Sequence, residues 1–285
     1  MAEVFGFDCY SPKEIAERVE NVGVTKANLP PVSMAALGVL AGGFIGLGAM
    51  FFTLVVSDAN LSFAVARVLG GTVFSLGLIL VVVAGAELFT GNNLLVMAWV
   101  GRRISTAKLV ENLVVVYLAN LMGAVGLAVL VAWSGHAKAA GSAVGKAAVA
   151  IAAAKCALPF AEAFFKGVLC NVLVCLAVWL AMAGRNVADK ILAIIFPIAA
   201  FVACGFEHSV ANMYFIPLGL FLRPAVAGTS IANLDALTWT GFAQNLLPVT
   251  LGNLVGGAGM VGLVYWVIYR RGIEAQSSPP AIVSK

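Results

Sequence analysis

The sequence predicts an all-α integral membrane protein of six transmembrane spans. They form an inverted three-plus-three repeat, with spans two and five broken. Three observations predict this. Of 285 residues, 62% are hydrophobic and only 11% are charged, whereas a soluble domain carries about 25% charged residues. Apolar runs of the roughly 20 residues needed to cross a bilayer recur six times. Two polar patterns also recur at a distance. "NLVVVYLANLMGAVG" (Asn112–Gly126) matches "NLLPVTLGNLVGGAG" (Asn245–Gly259) at eight of fifteen positions, and "GAELFTGN" (Gly85–Asn92) and "GFEHSVAN" (Gly205–Asn212) both read G-x-E-x-x-x-x-N.

The first segment, residues 1–30, is not a span. "SPKEIAERVENV" offers Ser11 as N-cap, proline at the first helical position and Glu14 three residues after the cap, the makings of a capping box. Ile15, Val19 and Val22 fall on one stripe. This predicts a short amphipathic helix on the cytoplasmic face, acting as a surface anchor or a gating lid. Residues 31–271 form the channel domain. Its spans are read at Val32–Val56, Val68–Val100, Leu109–Trp133, Cys156–Ala183, Ile191–Leu222 and Phe242–Tyr269. The second and fifth are too long for one straight helix and carry the shared polar motif at their interruptions. Residues 134–155 read as an outer loop. Residues 272–285, ending "AQSSPPAIVSK", read as a disordered cytoplasmic tail.

Three spans per half is an odd number, so the second half enters the membrane inverted. In such repeats the sites lie near the midplane, where discontinuous helices meet. Non-helical backbone survives there only where protein or water satisfies it. A weaker "GVL" echo joins spans one and four at Gly38 and Gly167. Gly38, Gly42 and Gly46, and again Gly252 and Gly256, recur every four residues, a spacing that brings helix backbones together. Lysines and arginines number 11 on the side of the termini and 5 on the other. That bias places both termini in the cytoplasm of a multi-pass protein. No cleavable signal peptide is visible.

Composition also excludes functions. The net charge of +4 sits beside the spans and needs no nucleic-acid partner. Five cysteines form no CxxC or Cys/His pattern. There are two histidines, His136 and His208, and only the second lies in a span, so one chain offers no two-histidine haem site. No nucleophile triad or metal cluster points to an enzyme, and no metal or cofactor is expected.

The fifth interruption raises the sharpest question, because Glu207, His208 and Asn212 are each expensive in hydrocarbon. Ionisable groups inside a membrane are functional candidates by default. An imidazole, ordinarily near pKa 6.5, suits His208 for contact with an anion or weak acid. Glu207 and its mate Glu87 would accept from freed amides at the half-helix starts. Thr90 sits on the opposite break and can donate to a substrate or to His208. Asn171 and Asn212 are neutral donors near the midplane, while Asn120 and Asn253 are repeat mates expected to brace the breaks. Lys155 sits near the outer interface and could attract anions. Lys166 follows Glu162 by four residues, a helical ion pair. Phe74, Leu78, Leu88, Phe89 and Phe201 flank the breaks as possible dry constrictions.

These motifs together resemble the formate/nitrite transporter family. The resemblance runs from about Pro30 to Arg271, through "SLGLILVVVAGAELFTGN", "FFKGVLCNVLVCLAVW", "GFEHSVANMYFIPLGL" and "NLLPVTLGNLVGGAGMVGLVYWVIY". It implies an aquaporin-like protomer, a homopentamer in the bilayer with one pore per protomer, and a bacterial inner-membrane location. It further implies that His208 is the central pore histidine and that Thr90 faces it. Lys155 becomes the vestibule lysine, and Asn171 and Asn212 become pore-lining asparagines. The five apolar residues then stand near two constrictions, and the N-terminal helix has a proposed gating role. The substrate class is small monovalent weak-acid anions. "GFEHSVANMYFIPLGL" is closer to formate channels and "FFKGVLCNVLVC" to the nitrite branch, which leaves nitrite, hydrosulfide and other short carboxylates as alternatives to formate. A neutral-solute channel is the nearest rival, but it gives the buried histidine no task.

Overall fold

The computed structural model describes residues 9–226 and 228–271, and its regular elements are helices and helical turns. The disordered tail expected at 272–285 lies outside the described residues.

Helix α1 (Pro12–Ala27) begins as expected. Glu14 N–H donates to Ser11 Oγ at 3.4 Å, and the Glu14 carboxylate accepts from Ser11 N–H at 2.8 Å. Ile15, Ala16, Val19 and Gly23 are buried on one face. Helix α2 (Pro31–Val56) is the first span. Helix α3 (Phe63–Gly85) ends in a π-helical run, Leu80–Gly85. Extended backbone at Ala86 and Leu88 follows, and the chain resumes helically through Phe89–Asn92 and Val96–Val100. Then come α4 (Thr106–Trp133), α5 (Ala139–Cys156), α6 (Phe160–Ala183), α7 (Val187–Ala203), α8 (Ser209–Leu222) and α9 (Trp239–Tyr269). The expected second span is thus α3 plus its short continuation, and the fifth is α7 plus α8.

Helix α5 differs from expectation, because residues 134–155 read as a loop. Among the described residues seven helices are long and apolar enough to cross a membrane, and one of them covers His136–Cys156. Its alanines favour a helix, but Lys138, Lys146 and Lys155 interrupt the apolar run. Positive φ at Ala140, Gly141 and Ser142 kinks its start, and the regular turns beyond pack against α8 and α9.

The helix also completes an internal symmetry. α1 and α5 each end in the same phrase, Lys26-x-x-Leu29-Pro30 and Lys155-x-x-Leu158-Pro159. The repeat therefore begins at α1 rather than at the first span. α1, α2, the α3 segment and α4 correspond in order to α5, α6, α7–α8 and α9. Both halves draw their first span tightly against their last. A Cβ at Gly42 of α2 would strike the Asn120 carbonyl of α4, and one at Gly256 of α9 would strike the Val168 carbonyl of α6. Close backbone approach of this kind binds membrane helices without bulky side chains.

Candidate functional site: a histidine between two broken helices

Each break opens on a glycine whose φ most side chains avoid, +87° at Gly85 and +73° at Gly205. The chain then turns extended and starts a new helix at Phe89 or Ser209, leaving N–H groups without helical partners. Asparagines of the last span of each half meet that need, as expected. Asn120 Oδ1 accepts from Phe89 N–H at 2.9 Å, while its amide donates to the Gly38 and Glu87 carbonyls. Asn253 Oδ1 accepts from Ser209 N–H at 3.0 Å, while its amide donates to the Gly167 and Glu207 carbonyls. The two sets correspond residue for residue: Asn120 to Asn253, Phe89 to Ser209, Gly38 to Gly167 and Glu87 to Glu207.

The glutamates do something other than the expected capping of freed amides, because the asparagines have taken that role. Glu207 binds Lys155 Nζ at 2.8 Å and the Asn212 amide at 2.6 Å. Glu87 binds Lys26 Nζ at 2.9 Å and the Asn92 amide at 2.7 Å. Both glutamates are buried. Each buried carboxylate is thereby paired with a cation and hydrogen-bonded, as burial of charge requires. Asn245 closes one set by donating to the Lys155 carbonyl, and Asn112 closes the other by donating to the Lys26 carbonyl. Sequence reading passed over Lys26 as a site residue. The shared Lys-x-x-Leu-Pro phrase was the available signal.

The symmetry fails at one telling place. The N-cap of the helix after the first break is Leu88, with no side-chain cap, and the N-cap of α8 is His208. His208 Nδ1 accepts from Ala211 N–H at 3.0 Å, and His208 Nε2 lies 2.9 Å from Thr90 Oγ1. An Nδ1 that accepts carries no proton, so these contacts specify the neutral tautomer with Nε2–H donating to Thr90. Thr90 comes from the opposite break. Its carbonyl accepts from Asn171, Asn93 and the Cys175 thiol, which fixes its position. His208 and Thr90 are both buried.

Three cavities lie in sequence along the protein. A vestibule of about 280 Å³ is lined by Arg67, Lys155, Lys166, Glu207 and His208, with Phe74 and Phe201 at its floor. A second vestibule, of about 450 Å³, is lined by Lys26, Leu37, Glu87, Leu78 and Leu88. α2 and α6 each line one vestibule near their start and the other near their end, so the two open at opposite ends. A small chamber of about 10 Å³ sits between them, lined by buried residues: Phe74, Phe201, Leu78, Leu88, three other aliphatic residues and His208. That is about the room one water-sized guest needs. Phe74 and Phe201 meet edge to face at 5.7 Å, and Phe201 stacks on the imidazole at 5.9 Å.

Four of the five expected constriction residues therefore wall the chamber. Phe89 does not. It packs on Tyr117 at 4.8 Å and lines none of the three cavities. Lys155 is in the expected vestibule. Asn171 and Asn212, expected as pore donors, also line none of the three. Asn171 donates to the Thr90 and Asn253 carbonyls, and Asn212 donates to Glu207 and Asn245. Lys166 makes the expected pair with Glu162, at 2.6 Å, and also lines the vestibule.

Comparison with known proteins agrees with this architecture. The family described as formate/nitrite transporter matches residues 13–267. "Formate channel FocA" of Escherichia coli (strain K12) is 42% identical over 275 residues, covering 93% of this chain and 96% of that protein. A "Probable formate transporter" of Methanothermobacter thermautotrophicus is 40% identical over 278 residues, covering 91% and 97%. A solved "Pentameric formate channel with formate bound" superimposes with a TM-score of 0.77 at 38% identity, covering 84% of this chain and 97% of that one. An "FNT family ion channel" gives 0.79 at 33% identity, covering 90% and 98%. The chain belongs to the formate/nitrite transporter family.

Proposed function

We propose that this multi-pass membrane protein is a homopentameric channel for small monovalent weak-acid anions, formate foremost, and that it catalyses no reaction. Both termini lie in the cytoplasm of a bacterial inner membrane, the orientation favoured by the lysine and arginine bias. The observation that carries the reading is the chamber, whose one polar lining group is His208.

A bare anion pays heavily to enter such a space, because an unpaired charge in an apolar medium is strongly disfavoured. A neutral acid of the same size does not. An anion gathered beside the Lys155–Glu207 pair meets a proton there, from vestibule water relayed past His208. It then crosses the chamber as neutral acid while hydrogen-bonding the imidazole Nε2–H. Beyond Leu78 and Leu88 the acid ionises again in the Lys26–Glu87 vestibule, releasing the proton it carried. The route runs equally in reverse. Each crossing moves a proton with the anion and no net charge. Thr90 holds the Nε2–H in place when the chamber is empty. The relatives and solved neighbours described as formate channels support formate as the preferred anion.

The test is swelling and internal-pH change in proteoliposomes with wild type and His208→Phe. Formate, nitrite, hydrosulfide and glycerol are each offered at several pH values. Formate entry with internal acidification that is lost in the variant is the expected result. Glycerol flux equal to formate flux, indifferent to the substitution, would make the chain a neutral-solute channel.

A further inference from the structure

The two vestibules are built from equivalent residues, so their differences stand out. Glu207 N–H donates to the Lys166 carbonyl at 3.2 Å, and Glu87 N–H donates to the Leu37 carbonyl at 3.2 Å. Lys166 and Leu37 are thus the same position of the two halves, and each lines its own vestibule. One half places a cation there and the other an aliphatic side chain.

Arg67 adds a second difference. Its guanidinium donates to the Ala203 and Val202 carbonyls, at 3.1 and 2.9 Å, and thereby caps the end of α7. Among the described residues no carboxylate lies within 4.0 Å of it. It lines the same vestibule as Lys166. The equivalent position in the other half is Val187, which is exposed and outside the second vestibule.

The remaining charges match. Lys155–Glu207 at one end and Lys26–Glu87 at the other are each balanced pairs. Glu162, the partner of Lys166, is half exposed and does not line the cavity. Among the described residues the His208-side vestibule therefore presents two cations that the other lacks, inside a cleft with low-dielectric walls. Such clefts concentrate counter-ions, and the effect falls steeply with salt.

We infer that Lys166 and Arg67 make the His208-side vestibule a loading site for small monovalent anions, so that the channel saturates at lower anion concentration from that face than from the face bearing α1. The inference rests on the anion-channel reading above. A passive pore must carry equal one-way fluxes at equal low concentrations. The better-loading face therefore reaches half-saturation sooner and at a proportionally lower maximal rate. Removing one cation at a screened vestibule distance changes local anion concentration about threefold to tenfold.

The experiment measures radiolabelled formate entry into right-side-out and inside-out membrane vesicles carrying the full-length protein, at low and high salt. Wild type, Lys166→Leu and Leu37→Lys are compared, so each variant places one half's residue in the other. Wild type should half-saturate at lower formate from the face opposite α1. Lys166→Leu should raise that value threefold to tenfold at low salt and narrow the difference between faces, Arg67 keeping the remainder, with little change at high salt. Leu37→Lys should lower the value from the α1 face. Equal half-saturation from both faces in wild type, or Lys166→Leu shifting both faces alike, would overturn the inference while leaving formate transport intact. Absence of formate flux in wild type would overturn the transport reading beneath it. Should Lys166→Leu fail to assemble, Leu37→Lys alone decides: an unchanged α1-face value refutes the asymmetry.

Discussion

Replacing Asn253 with leucine removes one side chain of similar size and three hydrogen bonds. Ser209 N–H loses its acceptor at 3.0 Å, and the Gly167 and Glu207 carbonyls lose donors at 2.8 and 3.0 Å. Asn253 is fully buried, so water cannot repair the loss. At about 1 kcal/mol net for each bond the cost is about 3 kcal/mol. At the bilayer average of about 0.6 kcal/mol per interhelical bond it is about 2 kcal/mol. Asn120→Leu removes the matching set at 2.9, 2.8 and 2.9 Å and should cost the same within about 1 kcal/mol. Unfolding in mixed micelles, followed by tryptophan fluorescence, measures both. Flux should separate them. Asn253→Leu frees the start of α8 beside His208, whereas Asn120→Leu frees the helix capped by Leu88, so the first should also alter the pH dependence of formate entry. A loss under about 0.5 kcal/mol in either variant would refute the idea that these asparagines hold the breaks open.

Other perturbations follow from single contacts. Thr90→Val leaves the His208 Nε2–H unpartnered, and formate flux should fall about fivefold to tenfold, the equivalent of about 1 kcal/mol, in the same liposome assay. Gly42→Ala drives a methyl group into the Asn120 carbonyl and should cost about 1–3 kcal/mol by overpacking, read as a lower Tm. Glu20 is buried and binds Arg270 at 2.6 Å, with Arg103 at 3.7 Å. Glu20→Ala should loosen α1 by about 2 kcal/mol, seen as faster amide exchange across Pro12–Ala27. The Ser11 backbone N–H, followed by its hydroxyl, holds the Glu14 carboxyl below its usual 4.5. A depressed folded value stabilises above the unfolded value and is lost as pH falls through the folded one. Exchange protection in the first turn of α1 should therefore persist above pH about 4.5 and disappear only below it.

Much of this site was legible because its chemistry is written in polar residues, which stand out against an apolar background. The G-x-E-x-x-x-x-N pair located both breaks, and the Asn120 and Asn253 match located their braces. What was missed has physical reasons. Helix α5 is rich in alanine and carries lysines, so it failed a test of continuous hydropathy although its backbone preference is helical. The symmetry between α1 and α5 rests on a five-residue phrase too short to weigh by itself. Glu87 and Glu207 were assigned to backbone amides because helix starts attract carboxylates in general. Here two neutral asparagines fill that role, which frees the carboxylates to hold lysines. Phe89 reads as a constriction residue because it flanks the break and because the family resemblance places it near one. Adjacent residues of a new helix point in different directions, and it faces Tyr117 instead.

The most direct test of the central claim is the charge and proton balance of a single crossing. Internal pH and membrane potential are recorded together while formate is added to one side of reconstituted wild-type protein. The account predicts internal acidification matching formate entry, no current, and a rate that rises as external pH falls. Formate entry that carries current, leaves internal pH unchanged and ignores external pH would mean that the bare anion crosses the chamber, and that no proton joins it in the His208-side vestibule.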